Sequence, residues 1–142
     1  MQALRLEVGN WDELGQDASA IRTEVFVIEQ KVPPELEMDE QDAVSVHAVA
    51  YDAQGRALGT GRLLPDGHIG RMAVLGQARG RQVGSRILQA LVARAQDLRY
   101  PEVALNAQVH AIGFYERHGF VAQGPEFLDA GIVHRLMTRR LG

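Results

Sequence analysis

The sequence predicts a single α/β domain in which helices pack on a mixed sheet, and three observations predict it. Several segments alternate between apolar and polar residues, as half-buried strands do. Others repeat apolar residues every three or four positions, as amphipathic helices do. The two kinds of segment follow one another in the order β-α-β-β-β-α-β-α-β-β, which favours a sheet covered by helices. With 46% hydrophobic residues, we expect residues 1–142 to form one domain with one core.

The first part of the chain predicts a strand and a helix. Residues 4–8 alternate as a strand does, and a helical stripe follows. Proline cannot continue a helix, so Pro33 and Pro34 are expected to end it. The stripe, at spacings of four, three, four and three, consists of Leu14, Ala18, Ile21, Val25 and Ile28.

The rest of the chain predicts six more strands and two more helices, with turns at residues 52–55 and 65–67. The helices are a long one that opens at Val83 and a short one that Gly119 ends. The expected strands, with the apolar run before the long helix included, are residues 44–51, 58–64, 69–74, 102–107, 120–127 and 132–138.

The turn between the strand at 69–74 and the long helix has the features of an anion site. Free backbone N–H groups meet the positive end of the helix dipole there, and glycines let a ligand approach closely. Arginines add positive charge. The sequence therefore predicts pyrophosphate binding at Arg79, Gly80, Arg81, Gln82, Val83, Gly84 and Ser85.

Other interpretations of this turn are possible. It could serve only as a connection between two elements. The residues contain no Gly-x-Gly-x-x-Gly, and no Gly-Lys-Ser/Thr ends the turn, so neither the dinucleotide-binding fingerprint nor the P-loop is matched. A second motif downstream favours the anion site over a simple connection.

That motif is the run from Ala111 to Phe120, Ala-Ile-Gly-Phe-Tyr-Glu-Arg-His-Gly-Phe. With both motifs in view, the chain resembles the GCN5-related N-acetyltransferase family. The family's late helix carries Ala-x-x-Phe-Tyr-x-x-x-Gly-Phe, which is matched in full. Its acyl-CoA loop, (Arg/Gln)-x-x-Gly-x-(Gly/Ala), is matched at Arg79 and Gly84, but Gln82 stands where the family has glycine. Residues 22–30 and 38–42 also resemble the small bacterial ElaA-like branch.

The resemblance implies a mostly antiparallel sheet of about seven strands and an enzyme that moves an acetyl group from acetyl-CoA to a primary amine of a small molecule or peptide. In the family, the fourth strand carries a bulge and splays from the fifth, so the pantetheine arm lies along exposed backbone, here Met72, Ala73 and Val74. The same strand could instead be only a buried central strand. A homodimer is also implied, and a non-catalytic acyl-CoA-binding module is the alternative function.

Tyr115 is the predicted general acid, because the family uses the tyrosine at this motif position to protonate the leaving thiolate. A phenol held within hydrogen-bond reach can do this. The alternative is a core aromatic whose hydroxyl finds a partner. Seven positions before it the family often has asparagine; here Gln108 stands there and Asn106 lies two residues earlier, so either amide is a candidate to contact the cofactor.

The general base is not fixed by the resemblance. Acidic and histidine side chains of suitable type are numerous, and Glu29 is preferred because it ends the first helix, which borders the acceptor site in the family. A solvated glutamate is the alternative. The other candidates are Glu37, Asp39, His47, His68 and His110.

Residues 29–42 contain six acidic side chains against one lysine, Lys31. Such a segment beside an acceptor cleft would attract a cationic amine. It could equally be a solvated loop. The acidic residues are Glu29, Glu35, Glu37, Asp39, Glu40 and Asp42.

Composition excludes several other chemistries. The sequence has no cysteine, its five histidines lack ligand spacing, and none of its three serines lies in Gly-x-Ser-x-Gly. We therefore expect no metal site and no covalent acyl-enzyme. The net charge of −3 argues against nucleic-acid binding. No run reaches the ~20 apolar residues of a membrane span and no signal-peptide pattern is seen, so a cytoplasmic location is expected.

Overall fold

The computed structural model of the protein describes residues 4–33 and 39–141. Its elements follow the predicted order, and the α/β fold class is confirmed. The strands of the described part are β1 (Arg5–Gly9), β2 (Val46–Tyr51), β3 (Ala57–Leu63), β4 (Ile69–Val74), β5 (Glu102–Gln108), β6 (Val121–Asp129) and β7 (Ile132–Arg140). Its helices are α1 (Trp11–Arg22), α2 (Val83–Asp97) and α3 (Ile112–Glu116), with a π-helical segment at Thr23–Glu29 and 3₁₀ turns at Glu40–Val44, Gly76–Ala78 and Val109–Ala111.

The strands of the described chain form two antiparallel sheets. One has the order β1-β2-β3-β4, and the other has the order β5-β7-β6. The sheets meet at a single parallel bridge between His68, just before β4, and Ala104 of β5. Beyond that bridge β4 and β5 separate, which opens a gap between the two sheets.

Helix α1 begins with a capping box and ends earlier than the apolar stripe predicts. The Asn10 side chain accepts from the Glu13 amide at 2.9 Å, and the Glu13 carboxylate accepts from the Asn10 amide at 3.1 Å. After Arg22 the backbone widens into the π-helical segment. Each π turn holds more residues than an α turn, so the stripe loses its phase. Val25 is still buried, as predicted. Ile28, which was also predicted to lie on the buried face, is 57% exposed.

Helix α2 supplies the centre of the core. Six of its apolar side chains are buried, and the helix packs on β1, β2, β3 and β4. Burial of side chains of this size stabilises the fold by about 1.5–3 kcal/mol each. Leu98, the last residue of the predicted run, lies beyond the helix and is exposed. The buried residues are Val83, Ile87, Leu88, Leu91, Val92 and Ala95.

Candidate active site

A cavity of about 710 Å³ lies where the two sheets separate. Its walls come from the π-helical segment, β4, the end of β5, α3 and the β6–β7 hairpin. The structure therefore brings together side chains that are far apart in the sequence. The predicted site residues that line it are Glu29, Met72, Ala73, Val74, Arg79, Asn106, Gln108 and Tyr115.

Strand β4 carries a bulge at the position that the resemblance implied. Its register against β3 shifts between the pairs Thr60–Ala73 and Arg62–Gly70. Arg71 lies inside this interval and has a φ of 52°, in the left-handed region. Met72 has no partner in the β3–β4 register, as expected of a residue in a bulge, so its backbone can face a ligand that carries amides.

The turn that precedes α2 presents backbone N–H groups at a helix N-terminus. Gly80 and Gln82 have φ values of 80° and 65°, and no side chain caps the helix among the described residues. The first-turn amides of an α-helix lack intrahelical partners, so they can donate to an anion. Val83 is buried, and a Cβ added to Gly84 would contact Val74 and Phe114 at 3.6 and 3.7 Å. Ligand binding by the backbone of residues 83 and 84 stays a prediction.

Two further members of this turn have side-chain partners or surroundings that the sequence did not indicate. The hydroxyl of Ser85 lies 2.9 Å from Nε2 of His118. Burial, with the nearby Arg139 and Arg117, lowers the pKa of His118. Arg81 lies beside a smaller cavity of about 320 Å³ at the other side of the turn.

Arg79 and Glu29, predicted to have separate roles, contact each other. Two hydrogen bonds of 2.7 and 2.8 Å join the guanidinium to both carboxylate oxygens. The hydrogen bond from Arg79 holds the pKa of Glu29 below its ordinary value. An ionised, paired carboxylate is a weak proton acceptor, so this contact weighs against Glu29 as the base, which stays a prediction.

Tyr115 lies in the cavity wall and packs on two rings. Its ring centroid lies 5.0 Å from that of Phe114 and 6.0 Å from that of Phe120, both edge-on. Burial raises the pKa of Tyr115 to about 12, so the phenol keeps its proton at neutral pH. Gly119 has a φ of 86°, as expected of a glycine after a helix, but α3 itself ends at Glu116 and its C-cap is Arg117.

The two candidate amides differ in their contacts. Asn106 is exposed at the cavity wall. Gln108 is half-buried; its amide nitrogen donates to Gln30 at 3.1 Å, and its oxygen accepts from Nε2 of His110 at 2.8 Å. Gln108 thereby links β5 to the residue that follows the π-helical segment.

The acidic segment is largely paired with arginines, an outcome that neither sequence interpretation describes. Asp42 is 2% exposed and accepts from the buried Arg22 at 2.9 and 3.0 Å. Arg62 donates to Asp42 at 2.8 Å and to Asp39 at 2.7 and 3.0 Å. Burial alone would raise the pKa of Asp42, but these arginines hold it below its ordinary value. Glu35 and Glu37 lie outside the described residues.

His134 is a cavity residue that the sequence reasoning did not select. It lies on β7, is 8% exposed, and has its Nδ1 2.7 Å from the Ile132 carbonyl oxygen. The only sequence signal is its place two residues into a strand after the turn at Ala130 and Gly131. That signal does not distinguish a site histidine from a packed one.

Comparisons with known proteins identify the family. A model described as an acetyltransferase (GNAT) domain matches residues 12–141. The N-acetyltransferase YjcF of Bacillus subtilis is 42% identical over 132 residues, which cover 90% of this chain and 94% of YjcF. A Pseudomonas aeruginosa acyl-CoA N-acyltransferase is 33% identical, with a TM-score of 0.84 over 96% of this chain and 99% of that one.

The protein belongs to the GNAT family of acetyltransferases. Its relatives support acyl transfer as the chemistry of the protein. Escherichia coli ElaA shares the fold, with a TM-score of 0.85 and 24% identity over 96% of this chain and 99% of ElaA. The predicted resemblance to the family and to ElaA-like proteins is thus confirmed.

No group of three histidine, cysteine, aspartate or glutamate side chains within residues 4–33 and 39–141 is arranged to hold a metal ion. None of the helices in that part of the chain is long and apolar enough to cross a membrane.

Proposed function

We propose that this protein transfers an acetyl group from acetyl-CoA to a primary amine of a small molecule or peptide. The observation that carries the proposal is the position of Tyr115. A phenol that stays protonated at neutral pH lines the same cavity as the bulged strand β4 and the separated strand β5. A proton donor is thus available beside the backbone that suits an acyl-CoA arm.

The residues around the gap fit acetyl-CoA. Backbone groups of Met72, Ala73 and Val74 would hold the pantetheine amides. Met72 lies in the bulge, and Ala73 and Val74 pair with β3 on one side only, because β4 is the edge strand of its sheet. The uncapped N-terminus of α2 would hold the pyrophosphate through the amides of residues 80–85. Arg79 and Arg81 would add positive charge there. When bound, acetyl-CoA supplies the thioester that is attacked.

The proposed reaction is direct attack by the amine within a ternary complex. A carbon–nitrogen bond forms, the carbon–sulfur bond breaks, and Tyr115 gives its proton to the departing thiolate. Tyr115 then regains a proton that leaves the new amide nitrogen through solvent. The sequence contains no cysteine and no serine in a nucleophile motif, so a direct transfer suits it better than an acyl-enzyme.

The test is to incubate the protein with acetyl-CoA and a panel of primary amines and to follow free CoA with a thiol reagent. Because the sequence has no cysteine, the protein contributes no thiol signal. The panel would contain a polyamine, an amino sugar, an amino acid and a peptide with a free N-terminus. Amine-dependent release of CoA, with the acetylated amine seen by mass spectrometry, is the expected result.

The same assay, combined with a stability measurement, distinguishes the enzyme from the alternative function, a non-catalytic acyl-CoA-binding module. If acetyl-CoA raises the stability of the protein but no amine is acetylated, the protein is an acyl-CoA-binding module. A ligand at 100 times its Kd stabilises the folded state by about 2.7 kcal/mol, which a thermal scan resolves. The cytoplasmic location and the homodimer stay predictions, as does the extent of the domain over residues 1–142.

A further inference from the structure

We propose that His134 is the general base that removes a proton from the acceptor amine. This assignment rests on the proposed function and extends it to a residue on β7. It is carried by the orientation of the imidazole, by its burial, and by its place in the wall of the cavity that Tyr115 also lines.

The hydrogen bond to Ile132 fixes which ring nitrogen can accept a proton. A carbonyl oxygen only accepts, so the 2.7 Å contact requires a proton on Nδ1 of His134. The neutral ring then has its lone pair on Nε2. No donor among the described residues forms a hydrogen bond to that nitrogen. Orientation of a histidine by an Nδ1–H bond to a backbone carbonyl is a common way to present Nε2 for chemistry.

The surrounding strands hold the ring in this position. His134 is opposite Gln108 of β5 and opposite Phe127 of β6, so it lies on the central strand of its sheet. The Phe127 ring stacks on the imidazole at 5.9 Å with an interplanar angle of 22°. The hairpin turn before it has two residues of positive φ, Ala130 at 52° and Gly131 at 78°, which suits a tight two-residue turn.

Two of the acidic candidates for the base, Glu29 and Asp39, are paired with arginines, and the third, Glu37, lies outside the described residues. Both oxygens of Glu29 accept from Arg79, and Asp39 accepts from Arg62. The pKa of each carboxyl is held below its ordinary value, first of all by the hydrogen bond to its arginine. Both carboxylates are therefore weak bases in this structure.

The other histidine candidates are less suitably placed. His47 is fully buried and does not line the cavity. His68 is exposed and pairs with Asp66, and His110 is exposed with its Nε2 on Gln108. On the elements packed against β7, the titratable groups that share the cavity wall with His134 are Asp129 of β6 and His110.

In the proposed step, Nε2 of His134 takes one proton from the acceptor ammonium. The neutral amine attacks the thioester, and Tyr115 protonates the thiolate as described above. The imidazolium then releases its proton to solvent. One ammonium and one acetyl-CoA give one amide, one CoA thiol and one free proton, so atoms and charge balance.

The test replaces His134 by asparagine, whose side-chain amide can still donate to the Ile132 carbonyl but offers no basic nitrogen. With an alkylamine acceptor, we expect kcat to fall by about 10²–10⁴-fold and the acidic limb of its pH profile to disappear. With an acceptor that is neutral at the assay pH, such as a hydroxylamine, the loss should be much smaller. Thermal stability and acetyl-CoA binding should stay close to wild type.

Arg135→Gln is the matched control. Arg135 is the next residue of β7, points to the opposite face, and donates to the Gly124 carbonyl at 3.0 and 2.8 Å. Its replacement should leave the pH profile unchanged. If His134→Asn keeps the rate or the acidic limb, the assignment is overturned and the acetyltransferase activity stands. If wild type acetylates no amine, the proposed function falls and the assignment falls with it.

A second measurement is made on the wild-type protein and does not depend on whether a variant folds. Nitrogen-15 NMR of the histidine rings in the wild-type protein distinguishes the two neutral tautomers. The structure requires the neutral ring of His134 to have a protonated Nδ1 and an unprotonated Nε2. A protonated Nε2 in the neutral ring would overturn the proposal, even where His134→Asn and a second variant, His134→Gln, are too unstable to assay.

Discussion

The guanidinium of Arg79 contacts two other parts of the cavity wall, the carboxylate of Glu29 and the backbone of Val74. It donates to both oxygens of Glu29 at 2.7 and 2.8 Å, and its Nε donates to the carbonyl of Val74 at 3.0 Å. Glu29 ends the π-helical segment, Val74 ends β4, and Arg79 opens the turn that precedes α2. A negative charge therefore lies within hydrogen-bond distance of the turn proposed to bind pyrophosphate.

Replacement of Glu29 by glutamine should strengthen the binding of acetyl-CoA. The substitution removes an anion beside the proposed site of an anionic ligand and leaves the charge of Arg79 without its partner. Because both side chains are nearly half exposed, solvent screens the pair, and we expect a gain of about two- to fivefold in affinity. Calorimetric titration with acetyl-CoA measures it, and the acidic limb of turnover should persist.

Glu102→Gln is the matched control. Glu102 lies at the start of β5 and does not line the cavity, so removal of its charge should leave the affinity unchanged. A 100-fold or larger loss of turnover in Glu29→Gln would support the sequence-based prediction that Glu29 is the base. It would also contradict the assignment of that role to His134.

Replacement of Tyr115 by phenylalanine should reduce kcat by about 10²-fold or more and leave acetyl-CoA affinity intact, since general acid catalysis contributes on this scale. Steady-state kinetics and a binding titration give the two values. Tyr100→Phe is the control, because Tyr100 packs against the core and does not line the cavity. Equal turnover in Tyr115→Phe and wild type would contradict the role of the phenol.

The order of elements was predictable because periodicity is a local property of the sequence. Strand β4 was predicted with both of its bounds, Ile69 and Val74, and the end of α3 near Gly119 follows from glycine chemistry. The bulge in β4 was implied by the resemblance to the family. The position of Tyr115 in the cavity wall agrees with that resemblance too.

Other features depend on partners that are distant in the sequence. Arg22 meets Asp42 across twenty positions and Arg79 meets Glu29 across fifty, and no local pattern announces either pair. The helix widens into a π-helical segment after Arg22, so the stripe predicted through Ile28 was wrong at its last residue. The orientation of His134 depends on a hairpin turn, which a count of histidine spacings does not reveal.

Replacement of Gln82 by glycine should raise the free energy of unfolding by up to about 1 kcal/mol. Gln82 has φ 65° and ψ 18°, and an L-residue in this region costs about 1–2 kcal/mol, part of which the greater entropy of unfolded glycine offsets. Urea unfolding measures the change. Gln89→Gly, at an exposed position within α2, should instead lower stability by about 1 kcal/mol.

The same variant separates the two roles open to Gln82. If the residue only fills a left-handed position, Gln82→Gly keeps its acetyl-CoA affinity because the backbone amide is unchanged. If the side-chain amide donates to a phosphate oxygen, affinity falls. A loss of stability as large as that of Gln89→Gly would contradict the account of backbone strain.

Stability should fall with pH below about 6.5 because His47 is buried in its neutral form. His47 is fully buried, and its Nε2 donates to the Asp42 carbonyl at 2.9 Å. Burial, with the positive charges of Arg22 and Arg62, lowers the pKa of His47 from its ordinary value of 6.5. Below that value the unfolded chain binds a proton that the folded protein does not, so acid favours unfolding.

The contribution of His47 can be isolated by its pH window. It is fully present above pH 6.5 and is lost as the pH falls toward the lowered pKa, with a slope of at most about 1.4 kcal/mol per pH unit. Asp39 and Asp42 act only below their ordinary pKa of 3.8. Urea unfolding between pH 8 and about pH 5 should therefore show a smaller slope of the free energy of unfolding against pH in His47→Gln than in wild type.

His118 is a second histidine whose pKa is lowered by burial, so its contribution falls in the same pH window. His118→Gln measures that contribution. An unchanged slope in His47→Gln would assign the acid sensitivity to another group.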